Sequence, residues 1–298
     1  MTSAVVVLLD GVLYAAVLFL VAAGLTFVFG VTRILNVAHG SFYAIGAYAG
    51  TSLVLAYERT GGPAGLSYLA LLAGAALAAV VLGPLVERLL LRPIYGREDW
   101  IQLLVTFALF LILEDVMKLV WGTSPYYAAG PYSLLGTVEV GGIPYAVYQL
   151  ALCVMAALTG GVLWWFIQRT RTGRLIVAVT VDREMAQALG IDVWRVYALA
   201  FTVGTFLAAL GGALVGPVIS VAPGISVEAI VLAFAVVVIG GLGSMTGAAV
   251  GSLVVGLARA AAVHNFPEVE LLTVYLIMAA VLLVRPQGLF GEVQLRRI

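Results

Sequence analysis

Apolar runs of about bilayer-spanning length recur along this whole chain, and they leave little else to fold. They cover about 5–30, 36–57, 66–91, 101–121, 146–168, 195–221, 226–242, 245–263 and 269–284. A segment of about 20 apolar residues crosses the hydrocarbon as a helix because lipid offers its backbone N–H and C=O groups no other partner. Only 10% of the residues are charged, against about 25% in soluble domains. The expectation is an all-α polytopic membrane protein, one domain over 1–298 with about 8–9 transmembrane segments. No polar stretch is long enough for a soluble enzyme or ATPase domain. No Lys or Arg precedes Arg33, so the first run lacks the basic start of a cleaved signal peptide and reads as a retained span.

Basic residues in short loops favour the cytoplasmic side. Placing 169–195 inside and alternating outward puts Arg33, Arg88, Arg92, Arg97, five Arg of 169–195, Arg285, Arg296 and Arg297 in the cytoplasm. Arg59, Lys118 and Arg259 then fall outside, and 119–168 holds no basic residue. This predicts an external N-terminus, a cytoplasmic C-terminus and a periplasmic loop at 122–145. The formal net charge is zero, which argues against nucleic acid as a partner; lipid is the obligatory one. Cys153 is the sole cysteine, so no internal disulfide can form.

Two features break the apolar pattern. "GGLGSMTG" at 240–247 puts four Gly in eight residues between two short spans. That fits either a broken helix beside a transport path or close packing through small residues. "NVAHGSFYAIGAYAG" at 36–50 echoes it loosely in the other half of the chain. The second feature is "RTRTGRLIVAVTVDREMAQALGIDVWR" at 169–195, with eight of the thirty charged side chains. Residues 174–190 are predicted to form one helix ended by Gly190, with Ala178, Val181, Met185 and Ala188 as a small or apolar stripe. The stripe is too modest for a span and suits a surface helix docked on a partner, solvated, or resting on headgroups.

The stretch "GRLIVAVTVDREMAQALGID" resembles the coupling segment of ABC importer permeases, and most closely that of the branched-chain amino acid (Liv-type) permease family. The positions that carry the resemblance are Gly173, Arg174, Ala178, Asp182, Ala186, Gly190 and Ile191. "NVAHGSFYAIGAY", "GGLGSMTGAAVG" and "RPQGLFG" at 285–291 resemble the same family in the same order. Val37 and Ser41 depart from its usual Phe and acidic residue, so the match does not name the solute. The resemblance implies a permease subunit of a bacterial inner-membrane ABC importer. It implies two ATP-binding subunits, a second permease chain (paralogue or identical copy) and a periplasmic solute-binding protein. ATP is then used by the partner, with no cofactor bound here. The alternative from another class is a self-sufficient channel or ion-coupled secondary transporter for a small solute such as urea.

No catalytic or metal-ligand constellation stands out. His39 and His264 lie far apart, and no GxxxxGK[ST] exists. The pathway candidates are Asn36, His39, Gly40, Ser41 and Tyr43, with Gly240, Gly241, Gly243 and Ser244; the first group could instead cap helices near the cytoplasmic face. Glu114 and Lys118, four apart, are predicted to pair, and Asp10 to sit solvated at the outer interface.

Overall fold

The computed structural model describes residues 2–140 and 142–291; Arg296 and Arg297, used for the orientation, lie outside them. The helices are α1 (Thr2–Thr32), α2 (His39–Glu58), α3 (Ser67–Val86), α4 (Asp99–Trp121), α5 (Gly130–Leu134), α6 (Val147–Arg169), α7 (Arg171–Val181), α8 (Arg183–Ala188), α9 (Val193–Val215), α10 (Ile225–Gly240), α11 (Met245–Asn265) and α12 (Glu270–Val284). Five of them are long and apolar enough to cross a membrane by length and composition: those beginning at Ala4, Ala64, Val147, Val193 and Met245. The fold is not wholly helical. Strands β1 (Thr137–Val140) and β2 (Ile143–Ala146) form an antiparallel hairpin with Thr137 opposite Ala146. β-branched residues flank the turn glycine Gly142 at φ 82°, a conformation that suits a hairpin and not a helix.

α9 is the central post. It packs on α1, α2 and α3, and 72% of its apolar window is buried, against 22% for α6. Small residues allow the approach: a Cβ on Gly46 of α2 would run into the Ala209 backbone of α9, so the two helix backbones touch. α1 runs antiparallel to α11, with Gly11 against Leu257 and Gly30 against Gly243.

The chain between α1 and α2 does not stay at the membrane surface. His39 packs on Val21 and Gly24 of α1, its Nε2 3.1 Å from the Val21 carbonyl. Those residues precede the helix end at Thr32 by 8 to 11 positions, or roughly 12–16 Å at 1.5 Å per residue. Residues 33–38 therefore run back alongside α1, and α2 starts part-way along α1 rather than at its end. Backbone groups of this non-helical stretch find partners within the protein, as hydrocarbon requires. Asn36 Oδ1 accepts from Ala38 N–H at 3.1 Å, and Thr106 Oγ1 of α4 donates to the Leu35 carbonyl at 3.2 Å.

The break at 240–247 is present. Gly241 and Gly243 take φ 108° and 81°, which β-carbon-bearing residues avoid, and Ser244 Oγ caps α11 by accepting from Gly247 N–H at 3.0 Å. Gly240 is also a close approach, its Cα facing the Gly247 carbonyl with no room for a Cβ.

Candidate functional site

Two cavities open at opposite ends of the bundle formed by α1, α10 and α11. The first lies toward the hairpin end and holds about 520 Å³. Val17, Leu18 and Val21 of α1 face Ala229 and Leu232 of α10 across it. Tyr14, Tyr43, Ser220, Glu228 and Arg259 bring polar groups to it. Pro223 and Gly224, the latter at φ 95°, end the preceding loop and start α10. Glu114 of α4 is buried and accepts from Ser226 Oγ–H in the first turn of α10, beside the Gly224 backbone. Its carboxylate sits where the α10 dipole favours negative charge. The predicted Glu114–Lys118 pair does not form: Lys118 Nζ pairs with Asp115 at 3.0 Å on the exposed side.

Arg259 stacks over the Tyr14 ring, 3.8 Å from its centroid, and is ion-paired to Glu270 at the start of α12. Its Nε is buried and, among the described residues, unpartnered. Beyond this cavity Asp10 is no free interface residue: its oxygens meet Tyr145 Oη at 2.9 Å and His264 Nε2 at 2.8 Å, fastening the hairpin to α1 and α11. Burial and the Asp10 carboxylate push the Tyr145 phenol up.

The second cavity, about 680 Å³, lies at the end that carries 169–195. Phe29, Arg33, Thr180, Gly243, Ser244 and Gln287 line it. The 285–291 turn closes over the α10–α11 break. Leu289 and Phe290 N–H donate to the Ile239 and Gly240 carbonyls, each at 2.9 Å. Those two carbonyls lie in the last turn of α10, which has no helical donors left for them.

Between the cavities α1 is sealed, with Ala22 and Leu25 fully buried. Beside this seal lie most of the candidates from the start of α2. Of these, Tyr43 alone lines the first cavity. Gly40 packs on the Ser226 backbone, and Asn36 caps its own turn. Asn36 Nδ2, His39 Nδ1 and Ser41 Oγ are buried without a protein partner among the described residues.

Residues 174–190 are not one helix. Asp182 is extended at φ −149°, ending α7, and its Oδ1 accepts from Met185 N–H at 2.9 Å to start α8. Asp is a strong N-cap and a poor mid-helix residue, so the competing local hydrogen bond wins. α8 ends in a Schellman turn. Ile191 N–H donates to the Ala186 carbonyl and Gly190 N–H to that of Gln187, each at 3.0 Å, with Gly190 at φ 82°. Ala186, Ile176 and Val179 are buried against Phe27, Leu163 and Val196, and Ile191 packs on the same cluster. Gly173 is wedged against the end of α6. Arg174, Ala178 and Asp182 are exposed, as is an apolar row at every fourth position: Val177, Val181, Met185 and Leu189.

Sequence reasoning missed what holds this segment down. The Arg183 guanidinium carbon lies 5.3 Å from the Trp194 ring centroid and 5.7 Å from that of Tyr197, and Arg92 lies 5.1 Å from Trp194. Tyr95 joins the stack, its centroid 4.7 Å from that of Tyr197. Burial pushes the Tyr95 phenol up, with Glu87 and Tyr197 adding to it. Such cation–π contacts contribute about 0.5–2 kcal/mol each. The signal was there: aromatic Tyr95, Trp194 and Tyr197 flank Arg-bearing loops.

Comparison with known proteins places this arrangement. The family described as branched-chain amino acid transport system / permease component matches residues 7–284. The high-affinity branched-chain amino acid transport system permease protein LivH of Escherichia coli K12 is 30% identical over 295 residues, covering 97% of this chain and 96% of its own. BraD of Pseudomonas aeruginosa, named likewise, is 29% identical, covering 98% and 97%. The ribose import permease protein RbsC of Haemophilus influenzae is 29% identical over a shorter stretch, 53% of this chain and 50% of its own.

Proposed function

The chain belongs to the branched-chain amino acid transport system permease component family, and from that premise we propose how it works as the membrane-spanning subunit of an ABC importer. The nine longer helices cross the bilayer of a bacterial inner membrane with the N-terminus and the 122–145 hairpin loop external and 169–195 cytoplasmic. The cargo is a branched-chain amino acid or a related small polar solute, received from a periplasmic binding protein. Two ATP-binding chains and a second permease chain complete the assembly, and the ATP is used in those partners.

The observation that carries this reading is the pair of cavities toward opposite ends of α1, separated by sealed packing. An importer that alternates access needs a closed section that opens to one side at a time. Asn36, His39, Gly40, Ser41 and Tyr43 lie at that section, and a buried polar group without a partner costs about 1–3 kcal/mol. A state that admits solute or water there relieves that cost, which supports their assignment to the pathway. Gly240, Gly241, Gly243 and Ser244 form the hinge at its inner end.

α7 and α8 are the coupling element. Their inner face is committed to α1, α6 and α9, and the exposed row Val177, Val181, Met185 and Leu189 remains for the ATPase. Val181→Glu and Met185→Glu should therefore insert normally yet lose the ATPase chain on purification and lose solute-stimulated ATP hydrolysis. Ala186→Glu should instead reduce the amount of folded permease, because it forces a charge into the chain's own core. Retention of a fully active ATPase by both row variants would remove coupling from this segment.

A further inference from the structure

Glu228 stands in the first turn of α10 and faces the 520 Å³ cavity. Among the described residues its carboxylate makes no hydrogen bond and no ion pair, whereas Arg259 across the cavity is already neutralised by Glu270. The dipole of α10 is answered separately by Glu114. Glu228 is exposed to the cavity, which therefore keeps one uncompensated negative charge on its wall.

Arg259 contributes the opposite polarity in a limited way. A guanidinium has five N–H donors; one terminal nitrogen is on Glu270, the ring of Tyr14 covers a face, and Nε has no partner. The rest of the wall is aliphatic: Val17, Leu18, Val21 and Leu232. The volume falls within the range of ordinary small-molecule sites, which pair apolar walls with a few placed polar groups.

We infer that this cavity is a solute-binding site for a zwitterionic amino acid with an aliphatic side chain, its ammonium on Glu228, its carboxylate on the terminal nitrogen of Arg259 that Glu270 leaves free, and its side chain against α1 and Leu232. Sequence reasoning had counted Arg259 as an outer-loop charge and had not singled out Glu228. The site is distinct from any partner's binding protein: it lies wholly within this chain. The inference takes from the importer reading the direction of entry.

The test uses permeabilised membrane vesicles carrying the full chain with Ser220→Cys in a Cys153→Ala background. Ser220 is exposed and lines the cavity, so a maleimide should label the new thiol and a bound solute should slow it. L-leucine should protect; 4-methylpentanoate, which lacks the ammonium, 3-methylbutylamine, which lacks the carboxylate, and urea should protect far less. Glu228→Gln should raise the leucine concentration for half-protection roughly tenfold, the size expected for one charge-assisted hydrogen bond. Glu228→Asp should restore part of it. Equal protection by leucine and 4-methylpentanoate, protection by urea alone, or unchanged protection in Glu228→Gln would overturn the assignment, as would no protection at millimolar leucine. The analogue comparison stands on the unsubstituted Glu228 even if Glu228→Gln fails to accumulate. Failure of the importer reading would show in the ATPase co-purification and leave leucine protection untouched.

Discussion

Replacing Gly190 by Ala puts a Cβ on a residue at φ 82°, which costs an L-residue about 1–2 kcal/mol. Nothing crowds that position within 4 Å, so the loss is conformational alone. We expect Gly190→Ala to lower the unfolding temperature of the purified protein slightly while Gly190→Asn, tolerant of the left-handed region, lowers it less. Equal effects would mean that the Schellman turn does not set the cost. The same residues show what a pattern conceals. The Ala-x-x-x-Gly-Ile spacing at 186–191 was legible as a helix end, but not that Ala186 faces inward, because that depends on Phe27 and Val196 from distant parts of the chain. Glu114 is a similar case. Helical spacing offered Lys118 as its partner, whereas burial against α10 gives it Ser226.

The elements followed the apolar runs closely, since helix length and hydropathy are set locally. What the runs could not give was depth. Residues 36–43 read as the start of a span, but their place beside the middle of α1 shows only when His39 is seen against Val21, and Thr106 of α4 supplies the partner of the Leu35 carbonyl there. The α7–α8 junction was missed for a different reason: apolar spacing continues through Asp182 while its cap interrupts the helix. α8 is too short to hold itself in place, so the Arg183 stack must help. In a double-mutant cycle, Arg183→Ala and Trp194→Ala should be non-additive by about 0.5–2 kcal/mol in stability. Strict additivity would mean the contact contributes nothing. Trp194→Ala alone should also speed proteolysis within 182–190 in intact membranes.

At the scale of the molecule, the hairpin and the 169–195 segment occupy opposite ends of the bundle, which makes orientation testable with two probes. Cysteines at Thr137 and Glu184, both exposed, placed in a Cys153-free background, should react with an impermeant maleimide from opposite faces of the membrane, Thr137 from outside. Labelling of both from one side would refute the proposed topology. The charge asymmetry suggested that orientation; the location of the cavities did not follow from it, because Tyr14 is separated from Glu228 and Arg259 by more than half the sequence.

α1 leaves the ribosome before the other helices described, and it is built for company that arrives late. Its Gly11 and Gly30 faces fit Leu257 of α11 and Gly243 just before that helix, and Gly24 fits Gly204 of α9. Small residues that seat a neighbouring backbone offer lipid chains only shallow grooves. During synthesis α1 must therefore wait with these grooves open while some two hundred residues follow it out of the ribosome. The packing of α1 is therefore completed only once α9 and α11 have been made.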